Sequence, residues 1–303
     1  MKSRYFFVHV VLTICTYGFS YGQQSVFKVF ANKGQIELKS GENKSPLKTG
    51  ANLKDEDIII IGENGYVALV HSASGTPKEI KTAGNYSVKE LAADIKPGSS
   101  LVTKYTEFIL SSNSPESKKN RLSATGAVHR GLEDIHVFLP EQPHTKMLNN
   151  TAIVRWESKS GHAGPFIVKL NNMFGDELSA FETSDFEIKI DLADPKLTGE
   201  PDVLLKIVSK GDPRSSSRDF IIHKIKDQAR ITELRKELME FELDEESAFN
   251  KIILAGFFEQ QKLYIDAIGA YEDAVQMAPE VASYKEAYDE FLIRNRLKES
   301  KQQ

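Results

Sequence analysis

The spacing of apolar residues changes once along the chain, after Lys226, and that change limits what the chain can fold into. Before it, apolar residues alternate or come in short runs. In "GQIELKS", Ile36 and Leu38 are separated by Glu37 and flanked by Gln35 and Lys39, a period of two that places one face of a strand on a core. After it, Ile231, Leu234, Leu238 and Phe241 recur at intervals of three and four, the period of a helix. The expected fold is therefore multidomain and mainly β, with a C-terminal α region. At 303 residues the chain suits two or three domains, each with its own core.

Between Val26 and Leu91 strand-like runs are punctuated by turns. "DIIIIGENGYVALVHSASGTPKEI" sets two apolar runs around Asn64-Gly65, a dipeptide that readily takes φ > 0 and is expected here to close a hairpin. Gly34 after a first strand, "PLKTGANL" with Gly50 and Leu53, the "DEDIIIIGENGYVALV" run and "NYSV" together resemble the FecR-like periplasmic β domain over residues 26–91. The "HSASGTP" segment departs from that family's acidic-Gly-Ser turn. The resemblance implies a β-rich envelope module and no catalysis. In "SSLVTKYTEFILSS", Leu101, Tyr105, Phe108 and Ile109 stand at helical spacing, so the expected domain, 23–110, ends in a packing helix. Residues 111–130, rich in Ser with Pro115, Lys118, Lys119 and Arg121, read as a linker.

From 131 to 226 come "IHVFLP", "AIVRWES", "PFIVKL", "FEIKIDL", "DVLLKIVSK" and "FIIHKI". Short strands at this density predict an antiparallel sandwich. Trp156 in "VRWES" resembles the core tryptophan of immunoglobulin-like and fibronectin-type sandwiches, and a core role is expected for it.

The region 227–303 is predicted helical, with Asp244 as a cap ahead of "EESAFNKIILAGFFEQQK". Across residues 248–281 it resembles a tetratricopeptide-like repeat. Leu254, Ala255, Phe258, Ala267, Tyr271, Ala274 and Pro279 fall where that repeat sets its large, small, aromatic, small, aromatic, small and proline positions. Lys251 departs from it, where tryptophan is preferred. Ala267, Tyr271 and Ala274 are expected to face Leu254, Ala255 and Phe258 across a helical hairpin, with Ala270 nearer the polar side. The resemblance implies either a structural cap or a surface that docks a peptide or protein. From residue 227 onward 17 acidic and 10 basic residues favour a basic partner.

The first residues, "MKSRYFFVHVVLTICTYGFSYGQQ", place Lys2 and Arg4 before an apolar run that ends in Ser20 and Gly22. This is the order of a signal peptide, 1–22, cleaved near Gly22, and it predicts export to the periplasm or cell envelope, with membrane contact only through that leader. Cys15, the only cysteine, lies inside the leader, so disulfides and cysteine chemistry are not expected. A formal charge of −4 gives no basic field for nucleic acid.

Signals for catalysis are poor. G-x-S-x-G, G-x-x-x-x-G-K-[ST] and H-E-x-x-H do not occur. Asp55 and Asp57 have calcium-loop spacing, but Ile59 and Ile60 stand where a ligand and a glycine are needed. His71, His129, His136, His144, His162 and His223 include no pair at three or four residues. The acidic run from Glu240 to Glu246 lies at a helix junction. No catalytic, cofactor-binding or metal-ligating residue is predicted. The expected function is that of an exported, non-enzymatic interaction or scaffold protein. The alternatives are a glycan- or cell-wall-binding protein, and a hydrolase whose site is assembled only in three dimensions.

Overall fold

The structure is a computed structural model that describes residues 25–96, 99–114, 116, 117, 119, 133–241 and 247–298. The expected signal peptide and its cleavage site lie outside the described residues, as do Cys15, Asp244 and most of the expected linker. Antiparallel sheets make up the N-terminal and middle parts, and helices the C-terminal part.

The N-terminal unit holds β1 (Phe27–Lys33), β2 (Ile36–Ser40), β3 (Asn43–Pro46), β4 (Asn52–Leu53), β5 (Asp57–Ile61), β6 (Tyr66–His71), β7 (Pro77–Ile80) and β8 (Gly84–Ser87). They form two sheets, β4-β1-β6-β7 and β3-β2-β5-β8. The expected hairpin at Asn64-Gly65 is corrected here: β5 and β6 do not pair but lie in different sheets. β1–β2 runs antiparallel to β5–β6 as one ribbon, with Lys33 opposite Tyr66 and Ile36 opposite Ile61. The ribbon folds over at two touching corners. Asn64 takes φ 57° as its sequence suggests. Gly34 takes φ +86°, and a Cβ there would lie 3.2 Å from the Cα of Gly65. Phe27, Val29, Ile59, Val67 and Leu69 fill the space between the sheets.

After α1 (Val88–Ala93), α2 (Ser100–Ser112) packs on this unit as expected: Thr103 Oγ1 donates to the carbonyl of Ser74. Ser111 and Ser112 belong to α2 rather than to a linker.

The middle unit contains β9 (Ile135–Val137), β10 (Lys146–Met147), β11 (Thr151–Ser158), β12 (Phe166–Asn171), β13 (Glu177–Thr183), β14 (Glu187–Asp191), the one-turn α3 (Pro195–Thr198), β15 (Asp202–Ser209) and β16 (Phe220–Lys224). The sheets are β10-β16-β15-β12-β13 and β14-β11-β9, antiparallel except for the two-residue pairing of β10 with β16. Trp156, 2% exposed, meets Phe166 edge-on at 5.6 Å between the sheets. β13 had no sequence counterpart, because "ELSAFET" neither alternates strictly nor is buried.

The helices are α4 (Gln228–Met239), α5 (Ala248–Gln260), α6 (Tyr264–Met277) and α7 (Ala282–Arg294). α5 is capped by Ser247, whose hydroxyl accepts the Asn250 N–H at 3.0 Å, rather than by Asp244 as expected. This layer lies between the two β units. On one side Phe30 of β1 stacks on Phe249 at 4.6 Å, and on the other Arg155 of β11 pairs with Glu272. One apolar cluster runs from Phe30 through the middle unit to Leu297, so the helices share a core with both neighbours. Accordingly β6, "YVALVH", is a nearly continuous apolar run, covered on both faces.

Candidate interaction surface

The residues expected to pack the helical hairpin lie together between α5 and α6. Ala255, Phe258, Ala267, Tyr271 and Ala274 are buried, Leu254 is half-buried against the same core, and Pro279 is exposed in the turn after α6. Ala270 departs from its expected polar side: it is 5% exposed. The reason is that the hairpin is covered on more than one face. Ile109 of α2 crosses α5 so closely that a Cβ on Gly256 would lie 2.8 Å from its Cγ1, and α6 packs on β11 and α7 on β1. The surfaces a docked peptide would use are taken up by the chain itself.

The buried charged groups Glu259, Asp266 and Glu272 of this layer each have a partner, whereas the buried Tyr288 hydroxyl makes no hydrogen bond. Arg294 Nε and Nη2 donate to the two carboxylate oxygens of Glu259, both at 2.6 Å, and Nη2 also donates to the Tyr271 hydroxyl at 3.2 Å. Burial raises the Tyr271 phenol against the opposing effect of Arg294. Asp266 accepts the N–H groups of Leu148 and Asn149 at 2.8 Å each. Desolvation pushes its carboxyl up to about 6 in spite of those bonds. Glu272, raised to about 7 mainly by burial, pairs with Arg155 at 2.5 Å. Glu79 binds Tyr66, which meets Tyr284, and accepts the Phe249 N–H at 3.0 Å. These contacts tie helices to sheets. A cavity of about 220 Å³ opens beside Tyr66 and Pro279, but its Lys33 pairs with Glu280 and its Lys81 with Glu79.

One cluster has the residue types of a hydrolase. Asp134 lies 3.8 Å from His162 Nε2, accepts the Ser160 N–H at 2.7 Å, and is bonded by the Ser215 and Ser158 hydroxyls. The order of contacts is wrong for nucleophilic catalysis, which needs the imidazole between hydroxyl and carboxylate. Here the hydroxyls reach the carboxylate directly. Desolvation would raise the Asp134 carboxyl, but hydrogen bonds from Ser160 and Ser215 outweigh it and lower the carboxyl. Among the described residues no group of three or more His, Cys, Asp or Glu could hold a metal ion, and no helix is long and apolar enough to cross a membrane.

The exposed apolar side chains are concentrated elsewhere. Of six large ones in the described residues, four lie between 173 and 186: Met173, Phe174 at 92% exposure, Phe181 at 37% and Phe186. Met173 and Phe174 cap the β12–β13 turn. Phe181 stands opposite Val168 on β13 and so shares the inward face of its sheet with a fully buried neighbour. It is nevertheless open, because β13 is the outermost strand of its sheet. Phe186 rests on Phe166 at 5.0 Å, just before β14, which is the outermost strand of the facing sheet. Two unpaired edges and three phenylalanines thus mark one flank. Sequence reasoning missed this flank; its available signal was aromatic residues in a segment with little alternation.

The chain matches no protein-family model, no curated protein and no solved structure.

Proposed function

We propose that this protein is a non-enzymatic binding or scaffold protein of the cell envelope, that the flank of β13 and β14 is its docking surface, and that the helical layer holds the two β units in one body. The FecR-like resemblance and the expected leader support the export reading, and the tetratricopeptide-like resemblance supports a scaffold or interaction role. The observation that carries the docking reading is the exposure of Phe174, Phe181 and Phe186 beside unpaired strand edges, in a chain whose other described large aromatics are buried or half-buried. Large apolar side chains left exposed in one segment are a mark of a candidate interaction site.

The test is retention of envelope proteins on the immobilised chain beginning at Gln23. Proteins held by this chain should be lost by a Phe174→Ser, Phe181→Ser double variant and kept by Met277→Ser, which changes an exposed methionine on another element. An identical retained set for all three chains overturns the docking reading.

A second reading, glycan binding, has one observation in its favour: a row of aromatic rings along one flank can stack on sugar faces. Saturable binding of cell-wall glycan that is lost in the same double variant, with no protein retained, would establish it in place of the first.

A further inference from the structure

Resting on the reading of this flank as an interaction surface, we propose that β13 accepts an extended strand of a partner polypeptide. The strand would become a new outermost strand of the five-stranded sheet, with basic side chains alternating with apolar ones.

The backbone supplies the first argument. β13 pairs with β12 alone, from Ser179 opposite Leu170 to Thr183 opposite Phe166. An edge strand presents a row of unused N–H and C=O groups, and adding a strand there is a recurring way to bind an extended peptide. At the other end of β13 the register shifts opposite Leu170/Asn171, and Leu178 packs into the core. The stretch left to a partner is therefore Ser179–Thr183, about 17 Å of strand, exposed at Ala180, Phe181 and Glu182 and half-buried at its ends, with α3 also packed against β13.

The side chains give the chemistry. On the inward face the added strand would extend over Phe181 toward Phe186, so every second partner residue would be apolar. Along the chain the segment is acidic, with Asp176, Glu177, Glu182, Asp185, Glu187 and Asp191 against the single base Lys189 in residues 176–191; Glu187 is paired with Arg155 and Lys169 stands opposite Ala180, so the acids the edge offers a partner are Glu182 and Asp185. Glu182 reaches Lys210 at 2.7 Å, but that pair is half exposed on both sides and is worth little against a better partner. A second copy of this chain fits less well: antiparallel pairing of Ser179–Thr183 with itself sets Phe181 opposite Phe181 and Glu182 opposite Ala180, so Glu182 gains no opposite charge and two acidic segments are brought side by side. A basic strand turns the same carboxylates into an attraction that also speeds encounter.

The experiment titrates the chain beginning at Gln23 with labelled peptides of alternating Lys and Val. Three comparison peptides are the same composition with its lysines and valines in separate blocks, alternating Glu and Val, and the Lys-Val peptide N-methylated through its central residues. The alternating Lys-Val peptide should bind, slow amide exchange within 179–183, and bind about tenfold or more weakly to a Glu182→Lys, Asp185→Lys variant at low salt. Each comparison peptide should also bind at least about tenfold more weakly, the N-methylated one because it cannot donate to the edge. Equal affinity for the N-methylated peptide would overturn strand addition and leave docking through side chains. Equal affinity for the charge variant would place binding elsewhere. No binding of the Lys-Val peptide at about 1 mM also overturns the proposal, and envelope proteins still lost only by the phenylalanine variant would then keep the docking reading alive. A chain that sediments as a dimer through this edge would replace the basic partner with self-pairing.

Discussion

The helical layer and the flank of the middle unit break the same rule in opposite senses. In the layer, charged groups are buried: Glu259, Asp266 and Glu272 are 5% exposed or less, and Arg294 is mostly covered. On the flank, phenylalanines are exposed. What separates the two is whether the exceptions are satisfied. Each buried charge has its partners, so the layer spends its polar groups on joining sheets to helices. The flank rings keep 37% to 92% of their surface exposed, and unsatisfied apolar surface is what a partner can still use.

The comparison breaks most visibly if a buried charge proves dispensable. Arg294→Met leaves the Glu259 carboxylate buried with only the Asn295 amide at 2.8 Å to answer it. The expected loss is about 3–5 kcal/mol in chemical denaturation. Adding Glu259→Leu should recover most of it, because a well-packed apolar pair can replace a buried ion pair. A single variant that loses less than about 1 kcal/mol would mean that the seam is wetter than its geometry.

Asp266 sharpens the same point through pH. Its folded pKa, about 6, lies above the ordinary value of 3.8, so between those limits the folded chain holds the proton more tightly than the unfolded one. Stability from this group is full below about pH 4 and falls as pH rises to about 6, by about 2–3 kcal/mol. Paired carboxylates elsewhere act in the other direction, so the readout is the difference between wild type and Asp266→Asn. That difference should decline from pH 4 to 6 and stay flat above 7. A flat difference throughout would show that the two backbone N–H groups fully offset the burial.

Packing gives a smaller effect. Ala267→Leu and Ala270→Leu should each cost about 1–3 kcal/mol by overpacking, since the two sites are 0% and 5% exposed. Tolerance at Ala270 alone would restore the polar side that the sequence suggested.

How far the sequence could be read follows from the reach of its signals. Period-two runs located most strands of both β units, and Ala255, Ala267, Tyr271 and Ala274 were recognisable as contact positions because small and aromatic residues at helical spacing report a neighbouring helix. They do not report what lies on the helix's other side. Ala270 is buried because α5 and α6 are enclosed by sheets and by α2, and the hint was in α5 itself, where Phe249, Ile252, Ile253, Phe257 and Phe258 leave no polar stripe. Asn64-Gly65 announced its backbone angle correctly. Whether that turn joins two strands of one sheet or passes between sheets depends on Gly34, thirty residues upstream in sequence and touching only in space. The flank was hidden for a related reason: an edge strand that is little buried on either face is under no pressure to alternate, so "ELSAFET" looks like a loop.

The smallest expected effect tests the other half of the comparison. The turn that carries Phe174 is held by Asn172, whose side-chain oxygen accepts the N–H groups of Phe174 and Asp176 at 2.9 Å each and whose amide donates to the Asp176 carboxylate at 3.0 Å. Gly175 completes it at φ +93°. None of these contacts uses the Phe174 ring, which is 92% exposed. Phe174→Ser should therefore change stability by no more than about 0.5 kcal/mol, in thermal and chemical melts alike, while Asn172→Ala, which frees two N–H groups and the Asp176 carboxylate, should cost more. If Phe174→Ser lost more than about 1 kcal/mol, the ring would have a structural partner, and the flank would join the helical layer as a place where the chain satisfies itself. If stability is unchanged, the ring is held in water by a turn that does not need it, which is the condition for a residue whose work lies outside its own fold.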